Sequence, residues 1–370
     1  MRSPSLLAFG LTGVALAATL TATTAPGHAQ TTRFVPCTGT GGGPEGLVQA
    51  ILAAQANQGS GLIQLETGCT YTFTAPRPGS DNALPLISGR IAITGKNAVI
   101  ARSANATAQF RIAEVAASGF LSLTGVTIRG GSLVNGNGAG ILNHGSLSLK
   151  FTTLTGNTTL NGSGGGFFAD NRSLTLLYRT TISDNFARLG GGGATNQATL
   201  RAIATLFKGN TALDGGALHL AGGSASRLVG SVVVHNKALG RGGGIFTGAG
   251  TLQIRDSKIL HNGTGTGGGL YVDAGTVELL RSHVTGNKAR NTGGGIFNRA
   301  AVTLEKSKIT GNAPNNCAGP SPVPGCVNGA KAAAARAERA AGPAARPALQ
   351  EARRKHPATP YAARDAAIRR

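Results

Sequence analysis

The sequence predicts an all-β chain wound as a right-handed parallel β-helix, with turns of about 25–26 residues and a short N-terminal capping helix. Three observations predict it. Gly accounts for 58 of 370 residues and charged residues for 13%, a composition that disfavours long helices, since Gly costs a helix about 1 kcal/mol per residue. The apolar share of 41% is too high for a disordered chain, and no Gly-X-Y period runs through it. Finally, Asn recurs at Asn157, Asn185, Asn210, Asn236, Asn262, Asn287 and Asn312, at intervals of 25 to 28 residues.

Other columns keep the same beat. Three residues before each Asn stand Leu154, Ile182, Phe207, Val233, Ile259, Val284 and Ile309. Five before stand Thr152, Thr180, Thr205, Ser231, Ser257, Ser282 and Ser307. Eight before stand Leu149, Leu177, Ala202, Leu228, Ile254, Leu279 and Leu304. One turn upstream, Leu123, Ile128 and Gly131 occupy the matching places, so at least eight turns can be counted. Apolar residues alternate inside each unit, as in Val302 and Leu304, which is the strand period. A unit this short buries its apolar face only by stacking on its neighbours. At about 4.8 Å per turn, eight turns make a rod on the order of 40 Å long. The Asn column is expected at a corner, bonding to the next amide and to backbone groups. Glycine clusters such as Gly242–Gly244 are expected to supply positive φ where strand becomes turn. A leucine-rich repeat has a similar period but needs a helix per unit, which this much Gly opposes.

The chain ends read differently. Arg2 precedes an apolar run from Leu6 to Leu20, and Gly27 and Ala29 suit signal-peptidase cleavage, so 1–29 reads as a signal peptide. Residues 30–100 read as an N-terminal cap with the first turns, and 101–326 as the repeats with a closing loop. Helical spacing over Glu45–Leu52 predicts a lid on the first turn. Four cysteines allow three pairings; their placement, two near each end of the repeats, favours Cys37–Cys69 and Cys317–Cys326 in an oxidising compartment. Residues 327–370 hold ten basic and three acidic residues and read as a disordered Ala/Arg-rich tail. The net charge is +21, and the tail carries a third of it.

The recurring "GGGIF…L.L..S.I.GN.A" resembles right-handed β-helix proteins of the pectin-lyase-like superfamily, and especially the repeats of bacterial polymorphic outer-membrane proteins. The two cysteine-bearing flanks are similar to those of secreted actinobacterial members. The resemblance covers about residues 35–326 and implies the fold. The chain departs from the outer-membrane proteins in ending with a basic tail instead of a barrel.

Chemistry along the rod is sparse in sequence. Glycosidases need two carboxylates at a set separation, and the candidates Asp170 and Asp184 lie in adjacent turns but not in one column. No calcium-binding cluster and no paired-aspartate motif are visible. His235 and His261, 26 residues apart, are expected to stack as turn residues about 5 Å apart. No metal or cofactor is expected. Two surface stripes point instead to binding. Phe168, Phe246, Tyr271 and Phe297 follow the glycines at the same place and are expected to present exposed rings to sugars. Lys258, His283 and Lys308 form a basic column, beside which Asp256 and Arg281 can pair. The expectation is therefore a secreted or surface-associated, non-enzymatic, adhesin-like protein. It would bind an acidic polysaccharide or cell-wall polymer, with no specific nucleic-acid partner and no transmembrane segment after signal cleavage. A pectate-lyase-like lyase or a hydrolase is the alternative, and a structural spacer the third.

Overall fold

The computed structural model describes residues 32–56 and 59–329; the expected signal peptide and the tail from residue 330 lie outside the described residues. The described chain forms a parallel β-solenoid of about 11 turns, three more than the repeats alone reveal. Residues 245–269 show one complete turn. Ile245–Thr247 lies in a nine-stranded sheet, Thr251–Arg255 and Lys258–Leu260 both lie in a nineteen-stranded sheet, and Gly263–Thr266 lies in a seven-stranded sheet. Each strand pairs in parallel with its counterpart one turn away, so Thr251–Arg255 aligns with Thr276–Leu280 residue for residue.

Alternation decides what enters the core. Leu252 and Ile254 are buried, whereas Thr251 and Gln253 between them are exposed. The predicted aliphatic columns do point inward: Ile182, Phe207, Val233, Ile259 and Val284 are at most 1% accessible. Burying one such side chain contributes roughly 1.5–3 kcal/mol. Upstream the columns continue through Ile91, Ile93, Leu121 and Leu123, where no ladder Asn marks the turns.

The Asn column is a continuous hydrogen-bonded ladder. Asn262 Nδ2 donates to Asn287 Oδ1 at 2.9 Å and to the Val233 carbonyl at 2.9 Å. Its own Oδ1 accepts from Asn236 Nδ2 and from the Asn236 backbone N–H, each at 3.0 Å. The same bonds repeat from Asn157 to Asn312, and every member is buried. The hydroxyl column forms a lesser ladder: Ser231, Ser257 and Ser282 each receive or donate across one turn at about 3 Å.

The residue before each ladder Asn adopts a left-handed conformation: Gly156, Asp184, Gly209, His235, His261, Gly286 and Gly311. Gly, Asp and His tolerate that region better than bulkier residues. The glycine triplets have a different division of labour from the one expected. In Gly242–Gly244 only Gly242 has positive φ, at 62°. A Cβ on Gly243 would meet the Gly268 carbonyl oxygen at 2.5 Å, and one on Gly244 the Gly269 oxygen at 2.7 Å. The first Gly turns the chain; the next two let successive turns approach.

Both ends of the solenoid are covered. Helix α1, Gly43–Ala56, buries Leu47, Val48, Ile51 and Ala54 against strands Ser60–Leu65 and Thr70–Phe73. The Cys37–Cys69 disulfide ties this cap to the first turns. Glu66 Oε2 accepts the Cys37 N–H at 2.6 Å, and Tyr71 donates its hydroxyl to the Val35 carbonyl at 2.6 Å. Cys317–Cys326 closes the opposite loop, where the Asn328 side chain brackets Cys317 with two hydrogen bonds. No described helix is long and apolar enough to cross a membrane.

Candidate functional site

The outer face of the nineteen-stranded sheet carries two arginines on adjacent strands. Leu176, Arg201, Arg227, Gln253 and Glu278 occupy one column in successive turns. Arg201 and Arg227 are direct cross-strand neighbours, an arrangement that like charges disfavour. The Arg227 Nε is buried with no hydrogen-bond acceptor among the described residues. Arg255 Nε also lacks an acceptor and has only Asp256 Oδ2 nearby, at 3.8 Å. Gln253 Nε2 donates to Glu278 at 3.1 Å and so restrains that carboxylate. Arg227, Gln253, Arg255 and Glu278 line a groove of about 260 Å³.

The face continues towards two exposed rings. Phe151 and Tyr178 meet edge to face at 5.6 Å, and the Arg179 guanidinium lies 5.8 and 5.6 Å from their centroids. Around the corner, Lys258, His283 and Lys308 stand in register on adjacent strands and are exposed, as expected. Asp256 and Arg281 pair with two contacts of 2.7 and 2.9 Å. That hydrogen bonding holds Asp256 below the ordinary carboxylate range.

The ring stripe expected to be exposed is not. Phe246, Tyr271 and Phe297 stack at 5.5 and 4.9 Å with interplanar angles of 16°, yet Phe246 and Tyr271 are only 5% accessible and Phe297 is half-buried. Phe168, 8% accessible, belongs to the same column but is separated from the stack by Thr195 and His219. The reason is geometric: in an in-register parallel stack each ring covers its neighbours' faces. Arg241 then closes over the edge, 4.7 Å from the Phe246 centroid and 5.4 Å from that of Tyr271. Its guanidinium is held above its ordinary range mainly by a hydrogen bond to Asp214, at 2.7 Å. His219 ends the stack edge-on to Phe246 at 4.9 Å. Its Nδ1 is buried without a partner among the described residues, and burial pushes the imidazole below its ordinary range.

Asp170 has partners that the sequence did not reveal. His144 Nδ1 lies 2.6 Å from Asp170 Oδ2, and His144 Nε2 faces Glu114 Oε1 at 3.7 Å. Glu114 is itself fixed, its Oε2 accepting from Arg111 Nη1 and Asn82 Nδ2 at 2.9 Å each. Burial lowers the Arg111 guanidinium, opposed by Glu114 and Asp81. The His144, Glu114 and Asp170 side chains are between 24% and 34% accessible. Asp170 thus fixes the orientation of the His144 ring, whose other nitrogen faces Glu114. Asp184 does not join this group; it is exposed at a corner, with φ of 56°.

His235 and His261 stack at 5.4 Å and 14°, as expected of turn residues. Among the described residues one group of His, Cys, Asp and Glu is close enough to share a metal ion, namely Cys37, Glu66 and Cys69, and its two sulfurs are joined to each other. No family model, curated protein or solved structure matches the chain.

Proposed function

We propose that the chain is an exported, adhesin-like β-helix protein that binds an extended acidic polysaccharide or cell-wall polymer along the outer face of its nineteen-stranded sheet. The Arg201–Arg227 neighbour pair, with the buried and acceptor-less Nε of Arg227, carries this reading. Two adjacent guanidinium groups repel one another until an anion lies across them. The two guanidinium groups stand on strands about 4.8 Å apart, so one acidic polymer crossing the sheet can meet both. Export is supported by the apolar run Leu6–Leu20 and by the two disulfides. The pectin-lyase-like resemblance of the repeats, with its bacterial origin, is consistent with a surface glycan as the ligand.

The test is affinity electrophoresis in gels containing polygalacturonate or neutral dextran. Retardation by the acidic polymer alone, relieved by salt, is expected. Replacing Arg201 and Arg227 by Ala should weaken it roughly tenfold or more, as loss of two charge-assisted contacts implies. Equal retardation of both proteins would overturn the assignment, and no retardation at all would favour a structural spacer.

One observation favours an enzyme as the second reading, the 2.6 Å contact between His144 Nδ1 and Asp170. With Nδ1 held by Asp170, Nε2 is the nitrogen left to exchange a proton with a uronate in a lyase reaction, with Glu114 Oε1 3.7 Å away. Unsaturated product released from uronate polymers, and abolished by His144→Ala, would establish it; no release would dismiss it.

A further inference from the structure

The seven-stranded sheet carries an apolar stripe that the polymer-binding reading does not use. Val134, Leu160, Leu189, Leu213 and Leu239 lie on five successive turns, and each is between 43% and 54% accessible. Register places Val134 beside Leu160 and Leu213 beside Leu239, while the Leu213 N–H bonds to the Leu189 carbonyl at 3.1 Å. Together with Phe186 the last four line a groove of about 400 Å³. Five large aliphatic side chains half-exposed in a row form a contiguous patch, which soluble surfaces avoid unless it is used.

We infer that this stripe docks the solenoid onto an anionic lipid surface, the leucines entering the headgroup boundary while flanking cations meet lipid phosphates. Charge complementarity selects this occupant. Arg188 and Lys237 are exposed on the same strands or immediately beside them, and Lys288 and Arg290 are exposed two strands further along the same sheet. The one acid within those strands, Asp214, is already paired with Arg241 at 2.7 Å. A second copy of the chain would set these cations against their own kind. An added β-strand finds no place, because the inner strands of this sheet are hydrogen-bonded on both sides. Aliphatic tips offer no directional hydrogen bond to a polar ligand, but they suit acyl chains, and clustered Lys and Arg beside them suit anionic headgroups.

The experiment is flotation of the full chain with vesicles of phosphatidylcholine and phosphatidylglycerol in equal parts, against pure phosphatidylcholine. Binding to the anionic vesicles is expected, with a part that persists in about 0.5 M salt, where surface charges are screened. Leu189→Ser, Leu213→Ser and Leu239→Ser combined should lower that persistent partitioning roughly tenfold or more, with circular dichroism and the melting transition unchanged. Should the triple variant fold poorly, Arg188→Glu with Lys237→Glu replaces it and should abolish the salt-sensitive part. Arg201→Ala with Arg227→Ala should float as the parent does, which separates this site from the polymer face. Absence of flotation, or flotation of the serine variant equal to the parent's, overturns the inference. So does a dimer in sedimentation velocity that the serine variant dissolves, since the stripe would then be a self-interface.

Discussion

Replacing Asn262 by Ala tests the ladder at its centre. The change removes four hydrogen bonds at once: two accepted from Asn236 at 3.0 Å and two donated, to Asn287 Oδ1 and the Val233 carbonyl, at 2.9 Å. Asn236 Nδ2 keeps its bonds to Phe207 and Val234, and Asn287 Oδ1 keeps the Asn262 N–H. The Asn236 backbone N–H, by contrast, loses its acceptor in a site that is 1% accessible. An orphaned buried donor costs about 1–3 kcal/mol, and each remaining bond contributes about 1 kcal/mol net. The expected loss is about 4–6 kcal/mol, measured by urea unfolding followed by far-ultraviolet circular dichroism. Asn262→Asp should cost more than Ala at neutral pH, because a carboxylate sets acceptor against acceptor at Asn287 and buries a charge. Asn161→Ala is the control: its side chain makes a similar 3.0 Å bond to Asn135, but in solvent, so its effect should stay within about 0.5 kcal/mol. An Asn262→Ala loss no larger than the control's would refute the claim that the ladder holds the corners together.

Further outcomes follow from single features. Gly243→Ala forces a methyl group against the Gly268 carbonyl at 2.5 Å and should cost about 1–3 kcal/mol, whereas Gly223→Ala, with nothing within 4 Å, should be neutral; equal melting temperatures would refute the close-approach argument. Cys37→Ser with Cys69→Ser opens a link spanning 32 residues and should destabilise by roughly 3–4 kcal/mol, read from denaturation midpoints with and without reductant. His219 has a folded-state pKa lowered by burial, so the unfolded chain takes up its proton first as pH falls below the unfolded value near 6.5. Stability contributed by the neutral ring is therefore fully present above that value and lost below it. Unfolding measured from pH 7.5 to 5 should show the parent losing stability faster than His219→Phe, and parallel curves would remove His219 from the account.

The repeat was legible because one residue type does one job in every turn. In the Asn ladder each side-chain amide donates to the next turn and accepts from the previous one, so Asn recurs and can be counted. The residue before it, always Gly, Asp or His, was open to the same count, and the three share a tolerance for positive φ. The arginine column was open to the same arithmetic, Arg201 and Arg227 each standing nine residues before a ladder Asn. Other features were not written in any column. The burial of Tyr271 depends on Arg241 folding back from the preceding turn, a side-chain choice that spacing does not encode. Asp170 and His144 share a register, but Glu114 reaches them from a turn that lacks the ladder, where no phase was available to align it. The leucine stripe escaped notice because register shifts interrupt its sheet, for instance between Ala212 and Asp214.

The ladder also has a direction. Every amide donates toward the C-terminal end, from Asn157 to Asn185 and onward to Asn312, which donates to Asn316 at 3.2 Å. The chain of bonds starts at the Gly131 N–H, which donates to Asn157 Oδ1, and finishes where Asn316 Nδ2 meets the Val327 carbonyl at 2.7 Å. Its two termini are thus backbone groups belonging to the flanking segments, while the interior is made of interchangeable links. Excising one whole unit, or duplicating one, leaves each remaining amide facing a partner identical to the one it lost. Length is consequently a free variable of this architecture, and a gene encoding it can grow or shrink by single repeats without reopening the hydrogen bonds at either end.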